Sequence, residues 1–221
     1  MGHRKLMKGI LFTQENFQAI IDGRKTQTRR IVKLQKWADG IEIGAAGKPF
    51  AYIEKYRHTD DARAEFIKPR YKVGERVYLK EPYCLDCDFI QHEFSKEWKA
   101  NGKIRYKYSG DELSELSRLV GGFNRWENKL FMPEKYARYF IEITDVHCER
   151  LQDISDEDCL KEGIKPIPQK YNGAFIYNYG RCNCENTPKR AYAALFDKIN
   201  GKGTWEKNPF VWVYSYKLVK I

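Results

Sequence analysis

No run of apolar residues in the 221-residue sequence is long enough to cross a membrane. The N-terminus also lacks the charged, apolar and cleavage regions of a signal peptide, since Met1 to Lys5 is short, polar and basic. These two absences give the expectation of a cytoplasmic protein with no membrane partner. There is no internal repeat and no low-complexity linker, which argues against a repeat array or tethered modules. Cysteine is sparse, with six residues at positions 84, 87, 148, 159, 182 and 184. Without an export signal they read as reduced thiols, not as a disulfide framework. Acidic residues are outnumbered, 30 Asp and Glu against 40 Lys and Arg, leaving a formal charge of +10.

What is present is positive charge combined with flat side chains. Fourteen per cent of residues are aromatic, including 15 Tyr and 5 Trp. Cations beside aromatics suit phosphate backbone and stacked bases, so nucleic acid or a nucleotide-like ligand is the expected partner. The length allows one elaborated domain or at most two small ones. The reading adopted is a single domain over 1–221, with insertions at about 34–70 and 84–133. No cofactor is implied. Two thiol pairs, Cys84 with Cys87 and Cys182 with Cys184, have the donors for a zinc ion, but the single residue between the second pair is tight. Zinc and free thiols both stay open, with free thiols the expectation.

Met7 to Phe12 reads as a strand, followed by a short helix that Thr13 caps and Gly23 ends. Phe17, Ile20 and Ile21 form its apolar stripe. Thr28 to Lys33 continues as a second strand. The pattern weakens from Leu34 to Arg70, where Gly40, Gly44 and Gly47 interrupt it. Val73 to Glu81 alternates as a half-buried strand. Arg105 to Ser109 suggests a short strand and Leu113 to Leu119 a helix. Tyr139 to Val146 is a strand by its branched and aromatic content. Ser155 caps a helix reaching Glu162, a carboxylate in the last turn, where it opposes the helix dipole. Pro166 to Glu185 reads as irregular. Thr187-Pro188 opens a helix with Tyr192, Leu195, Phe196 and Ile199 on its apolar face. Phe210 to Ile221 is a closing strand. The fold class is therefore α+β: five or six mostly antiparallel strands in a small, partly open β-barrel, with helices at its ends.

The chemistry concentrates in Gly23-Arg24-Lys25-Thr26-Gln27-Thr28-Arg29-Arg30. A turn this rich in cations and hydroxyls suits an anionic or polar ligand. Taken alone, it is equally compatible with a solvated charge cluster.

The order of blocks carries a resemblance. Lys8-Gly9-Ile10-Leu11-Phe12, a helix, and then Gly23 to Arg30 resembles the ASCH family of the PUA-like superfamily. Val73 to Glu81 resembles its next strand, and Ile143 to Val146 through Leu151 to Ser155, Glu162, Gly163 and Ile164 its third landmark. Trp205 to Tyr216 resembles the closing strand of longer, prophage-associated members. The resemblance implies a PUA-like barrel and a role with RNA or modified bases. It also implies that Lys25, Thr28 and Glu162 match the lysine, threonine and glutamate with which short members hydrolyse N4-acetylcytidine. Arg24, Thr26, Arg29, Arg30 and Glu81 are then the candidates for contacting substrate or nucleic acid.

An amide hydrolase needs a nucleophile, a base and a group to manage the departing amine. Thr28, Lys25 and Glu162 fit those roles in turn, provided burial or nearby cations lower the lysine pKa. On a straight strand, residues 25 and 28 face opposite sides, so the backbone must bend after Gly23. A non-catalytic RNA-binding module and a ribonuclease using the same basic cleft are the alternatives.

Overall fold

The branched and aromatic segments do become strands. The structure, a computed structural model, describes residues 6–34, 36, 38–44, 47–52, 64–91, 96–112, 125–169, 175–180 and 183–219. In chain order the elements are β1 (Lys8–Leu11), α1 (Gln14–Ile21), β2 (Gln27–Ile31), β3 (Gly40–Ile43), β4 (Pro49–Tyr52) and β5 (Ala64–Phe66). There follow β6 (Arg76–Lys80), β7 (Tyr83–Gln91), β8 (Lys96–Tyr106), β9 (Phe140–Arg150) and α2 (Asp156–Lys161). The chain ends with β10 (Lys165–Pro168), β11 (Phe175–Gly180), β12 (Asn183–Glu185), α3 (Pro188–Asn200) and β13 (Phe210–Val219). This is a strand-rich α+β fold with few helices. Among the described residues its sheets have five, three, three and two strands, and none closes into a barrel.

The chain forms two compact units, passing between them after residues 18, 75, 141 and 218. The first contains β1 paired in parallel with β6, from Lys8 opposite Val77 to Leu11 opposite Lys80. Gly9 is needed there, because a Cβ would lie 2.3 Å from Lys80 Cε and 2.7 Å from the Tyr78 ring. The β7–β8 pair forms an antiparallel hairpin with an irregularity between Leu85 and Cys87.

The second unit holds β2 antiparallel to β13, from Gln27 opposite Ser215 to Ile31 opposite Val211. Its core gathers Leu151, Ile154, Cys159, Ile164, Ala191, Tyr192, Phe196, Val211 and Val213. Full burial of each large apolar side chain contributes about 1.5–3 kcal/mol before entropy is counted. Helix α3 begins as its sequence dictates, with Thr187 Oγ1 accepting from Arg190 N at 3.2 Å and Pro188 in the first turn. Its buried face is rotated from the expected stripe: Ala191, Tyr192 and Phe196 are inside, while Ile199 is 44% exposed.

Three sequence expectations need correction. The expectation that 166–185 is irregular fails at residues 166–168, 175–180 and 183–185, where β10, β11 and β12 form an antiparallel sheet. Pro166 and Pro168 are tolerated because β10 is an edge strand, where the missing N–H groups break no ladder. The weak pattern after Leu34 contains the antiparallel β3–β4–β5 sheet. Gly40, read as a breaker, is a strand residue opposite Tyr52, and a Cβ there would lie 2.4 Å from the Tyr52 hydroxyl. Lys107–Ser109 is a 3-10 turn closed by Gly110 at φ 80°, following the longer strand β8. The helix expected at Leu113–Leu119 lies outside the described residues.

Candidate functional site

Helix α1 stops where Gly23 adopts φ 74°. Both Arg24 N and Lys25 N then donate to Ala19 O at 2.9 Å, turning the chain. Thr26 N donates to Lys161 O, and Tyr216 N to Thr26 O, each at 2.9 Å. The end of α2 is thereby fixed beside the start of β2. Ser155 Oγ caps α2 by accepting from Asp158 N at 3.1 Å, and Glu162 occupies its C-cap. Gly163, at φ 99°, lets the chain leave closely over the turn, since a Cβ there would lie 3.4 Å from the Cβ atoms of Ala19 and Lys25.

Into this junction the sequence buries opposite charges. Lys25 is 2% and Glu162 3% exposed. Lys25 Nζ donates to Glu162 Oε2 at 2.5 Å and to Glu162 O at 2.7 Å. The other carboxylate oxygen, Oε1, accepts from Arg29 Nη1 at 3.2 Å. Tyr192, from α3, lies near enough to feel the Glu162 charge.

Arg29 is 3% exposed and its guanidinium is engaged on all sides. Nε donates to Glu149 Oε1 at 2.7 Å, Nη1 to Gln27 Oε1 at 2.8 Å, and Nη2 to Asp158 Oδ2 at 3.2 Å. Lys161 Nζ adds a bond to Asp158 Oδ1 at 2.8 Å.

Burial pulls the Lys25 pKa down. The Glu162 charge and hydrogen bond oppose this, while Arg30 and Arg29 push further down, and the net direction is below an ordinary lysine. Burial pushes Tyr192 and Tyr216 well up, and the Glu162 charge adds to both. Asp158 is lowered on balance. Partial burial would raise it, but the Lys161 hydrogen bond and the Arg29 charge prevail.

Strand alternation sorts the remaining residues. Gln27 and Arg29 share a face of β2 with their partners Ser215 and Val213, whereas Thr28 and Arg30 share the other with Tyr214 and Trp212. Thr28 is 4% exposed, and among the described residues no side-chain hydrogen bond joins it to Lys25 or Glu162. Lys25 precedes the strand at its turn. The Glu162 charge is felt on both faces, by Arg29 and Tyr192 on one and Tyr216 on the other.

The structure thus brings Lys25 and Glu162 into direct contact and keeps Thr28 on the neighbouring strand, facing away from Arg29. Arg24 and Thr26 are exposed, with Arg24 paired to Asp22 at 3.0 Å. Arg30 is half-buried. Arg29, expected to contact substrate or nucleic acid, is buried and bonded to Glu149, Gln27, Asp158 and Glu162. Glu81 is in the first unit, fully buried and held by Arg138 through bonds of 2.7 and 2.8 Å. There Arg138 lies over the rings of Tyr106 and Tyr139, at 4.0 and 5.0 Å. Cys84 is buried and Cys184 exposed. Cys182 and the side chain of Cys87 lie outside the described residues.

Sequence reasoning missed Glu149, Asp158, Gln27 and Tyr192. Tyr192 read as part of the apolar face of its helix and also feels the Glu162 charge, while Asp158 bonds Arg29 from the first turn of α2. No family model matches the chain, and neither a curated protein nor a solved structure is found to be similar.

Proposed function

We propose that this is an ASCH-type enzyme hydrolysing the amide of an N4-acylated cytidine or a similar modified nucleoside. The observation that carries the reading is the buried Lys25–Glu162 pair, joined at 2.5 Å, with burial lowering the lysine pKa. A lysine that releases its proton inside a protein is a base of matched strength. In this reading neutral Lys25 takes the Thr28 proton as the hydroxyl oxygen attacks the acyl carbon. The tetrahedral adduct collapses with cleavage of the carbon–N4 bond, and the departing amine receives that proton from Lys25. Glu162 orients the ammonium during the transfer. Water then hydrolyses the acyl-threonine ester, releasing the carboxylic acid and restoring the hydroxyl. Arg30, on the Thr28 face, is suited to the developing oxyanion.

The PUA-like barrel belongs to the same proposal, supported by the mixed, largely antiparallel strands. A second reading, an RNA-binding module whose buried charges only fix the β2 junction, is favoured by the saturation of Arg29 and the net charge of +10. Incubation with N4-acetylcytidine and, separately, with single-stranded RNA tests the choice, with products identified by mass spectrometry. Cytidine and acetate are expected from the first and intact RNA from the second. Untouched nucleoside would overturn the enzyme reading, and shortened RNA would replace it with strand cleavage.

A further inference from the structure

The Lys25–Glu162 pair holds a problem that the rest of the cluster answers. If Lys25 is to give up its proton, the adjacent buried carboxylate must not capture it. A carboxylate removed from water prefers to be neutral unless another cation or donor holds its charge. Here Glu162 Oε1 faces Arg29 Nη1 at 3.2 Å, and a guanidinium keeps its charge at any relevant pH. Arg29 in turn is held from three directions, by Glu149 of β9, Asp158 of α2 and Gln27 of β2. Its two rim carboxylates are about one-fifth exposed, so their own charges remain solvated.

We propose, on the reading of Lys25 as a base, that Arg29 is a positioning residue: braced by Glu149 and Asp158, it holds the Glu162 carboxylate aimed at Lys25 Nζ. The arrangement divides the carboxylate between two cations with different properties. The Oε1 side meets a permanent charge, and the Oε2 side meets a charge that can leave. This is a different role from anion binding, for which Arg29 has neither exposure nor an uncommitted side of its guanidinium.

Several groups set the electrostatics. Glu162 at the C-cap of α2, and Arg29 and Arg30 of β2, act on Lys25. Tyr192 of α3 and Tyr216 of β13 feel the Glu162 charge. Glu149 is also 3.6 Å from His147 Nε2, and Asp158 is bonded to Lys161. Removing Arg29 takes one positive charge from beside Lys25 and leaves Glu162 to that lysine alone. Both changes favour the ammonium, so Lys25 must titrate at higher pH.

The test is an NMR titration of the Lys25 side chain in wild type, Arg29→Gln and Arg29→Lys, with the pH profile of N4-acetylcytidine turnover alongside. Arg29→Gln is expected to move the lysine midpoint and the acid limb of kcat/KM together to higher pH, with about a tenfold loss of turnover at pH 7. Arg29→Lys, which keeps the charge, should return the midpoint most of the way. A folded Arg29→Gln protein with an unmoved Lys25 midpoint overturns the proposal. If that variant does not fold, the rim variant E149Q/D158N decides. Uncompensated Arg29 charge should then drive the Lys25 midpoint below wild type, and an unmoved midpoint overturns the proposal equally. The NMR arm needs no substrate. Absence of turnover in wild type would thus remove the amide-hydrolase reading while the Arg29 result still stands or falls by the midpoint.

Discussion

At the scale of single residues the cluster is expensive to assemble, and that expense makes it measurable. Replacing Lys25 with methionine leaves Glu162 buried with Arg29 and Tyr192, and breaking such a pair costs about 3 kcal/mol. Urea unfolding at neutral pH should register that loss; an unchanged midpoint would mean that the pair is solvated. The pH dependence has a definite sign. Folded Lys25 titrates below its unfolded value of roughly 10.4, so the unfolded chain binds more protons across the interval between them. Its contribution therefore becomes more favourable as pH rises from the folded towards the unfolded value. Cys159, pushed up by burial to about 12, and Tyr192 act in the opposite sense at alkaline pH. For this reason the informative quantity is the stability difference between wild type and Lys25→Met. It should widen with rising pH, and a flat difference contradicts the lowered lysine pKa.

At the scale of elements, two short features hold the site. Ser155→Ala removes the cap of α2, at a cost of about 1 kcal/mol. Gly163→Ala forces a side chain into φ 99° and against Lys25 Cβ, a strain of about 1–3 kcal/mol. Both are expected to lower stability by thermal melt, and the second should also perturb the Lys25 titration; a neutral Gly163→Ala would show that the junction is loose. Caps and strong periodicities were legible in the sequence. Thr13, Gly23, Ser155 and Thr187 all mark real boundaries, and β1, β6, β9 and β13 follow their branched and aromatic residues. The β10–β12 sheet was hidden because its edge strand carries two prolines, and β3 because Gly40 lies under Tyr52. Lys25 and Glu162 were legible only as residue types in a pattern. That they touch across 137 positions is a tertiary fact. The internal partners of Arg29 were not legible because adjacent arginines look alike in sequence, while strand alternation sends Arg29 inward and Arg30 to the other face.

At the scale of the whole chain, two compact units share a net charge of +10, with the candidate site in the second. If single-stranded RNA binds, log affinity should fall against log salt with a slope of roughly −0.7 per neutralised phosphate. The exposed Arg24 is one cation of the basic turn that can take part, so Arg24→Ala should flatten the slope by about one phosphate's worth. Arg29 is buried and should not contribute in this way. An equal flattening on replacing Arg29 in a folded protein would contradict its internal position. The measurement closest to the central claim is kcat/KM for N4-acetylcytidine in wild type, Lys25→Met, Thr28→Ala and Glu162→Gln, with acid-quenched protein analysed by intact mass. Wild type is expected to deacylate the nucleoside and each variant to lose about a hundredfold or more. An acyl adduct should be trapped on every protein that retains Thr28 and measurable turnover. Turnover by Lys25→Met at the wild-type rate, or no turnover by wild type, would contradict it.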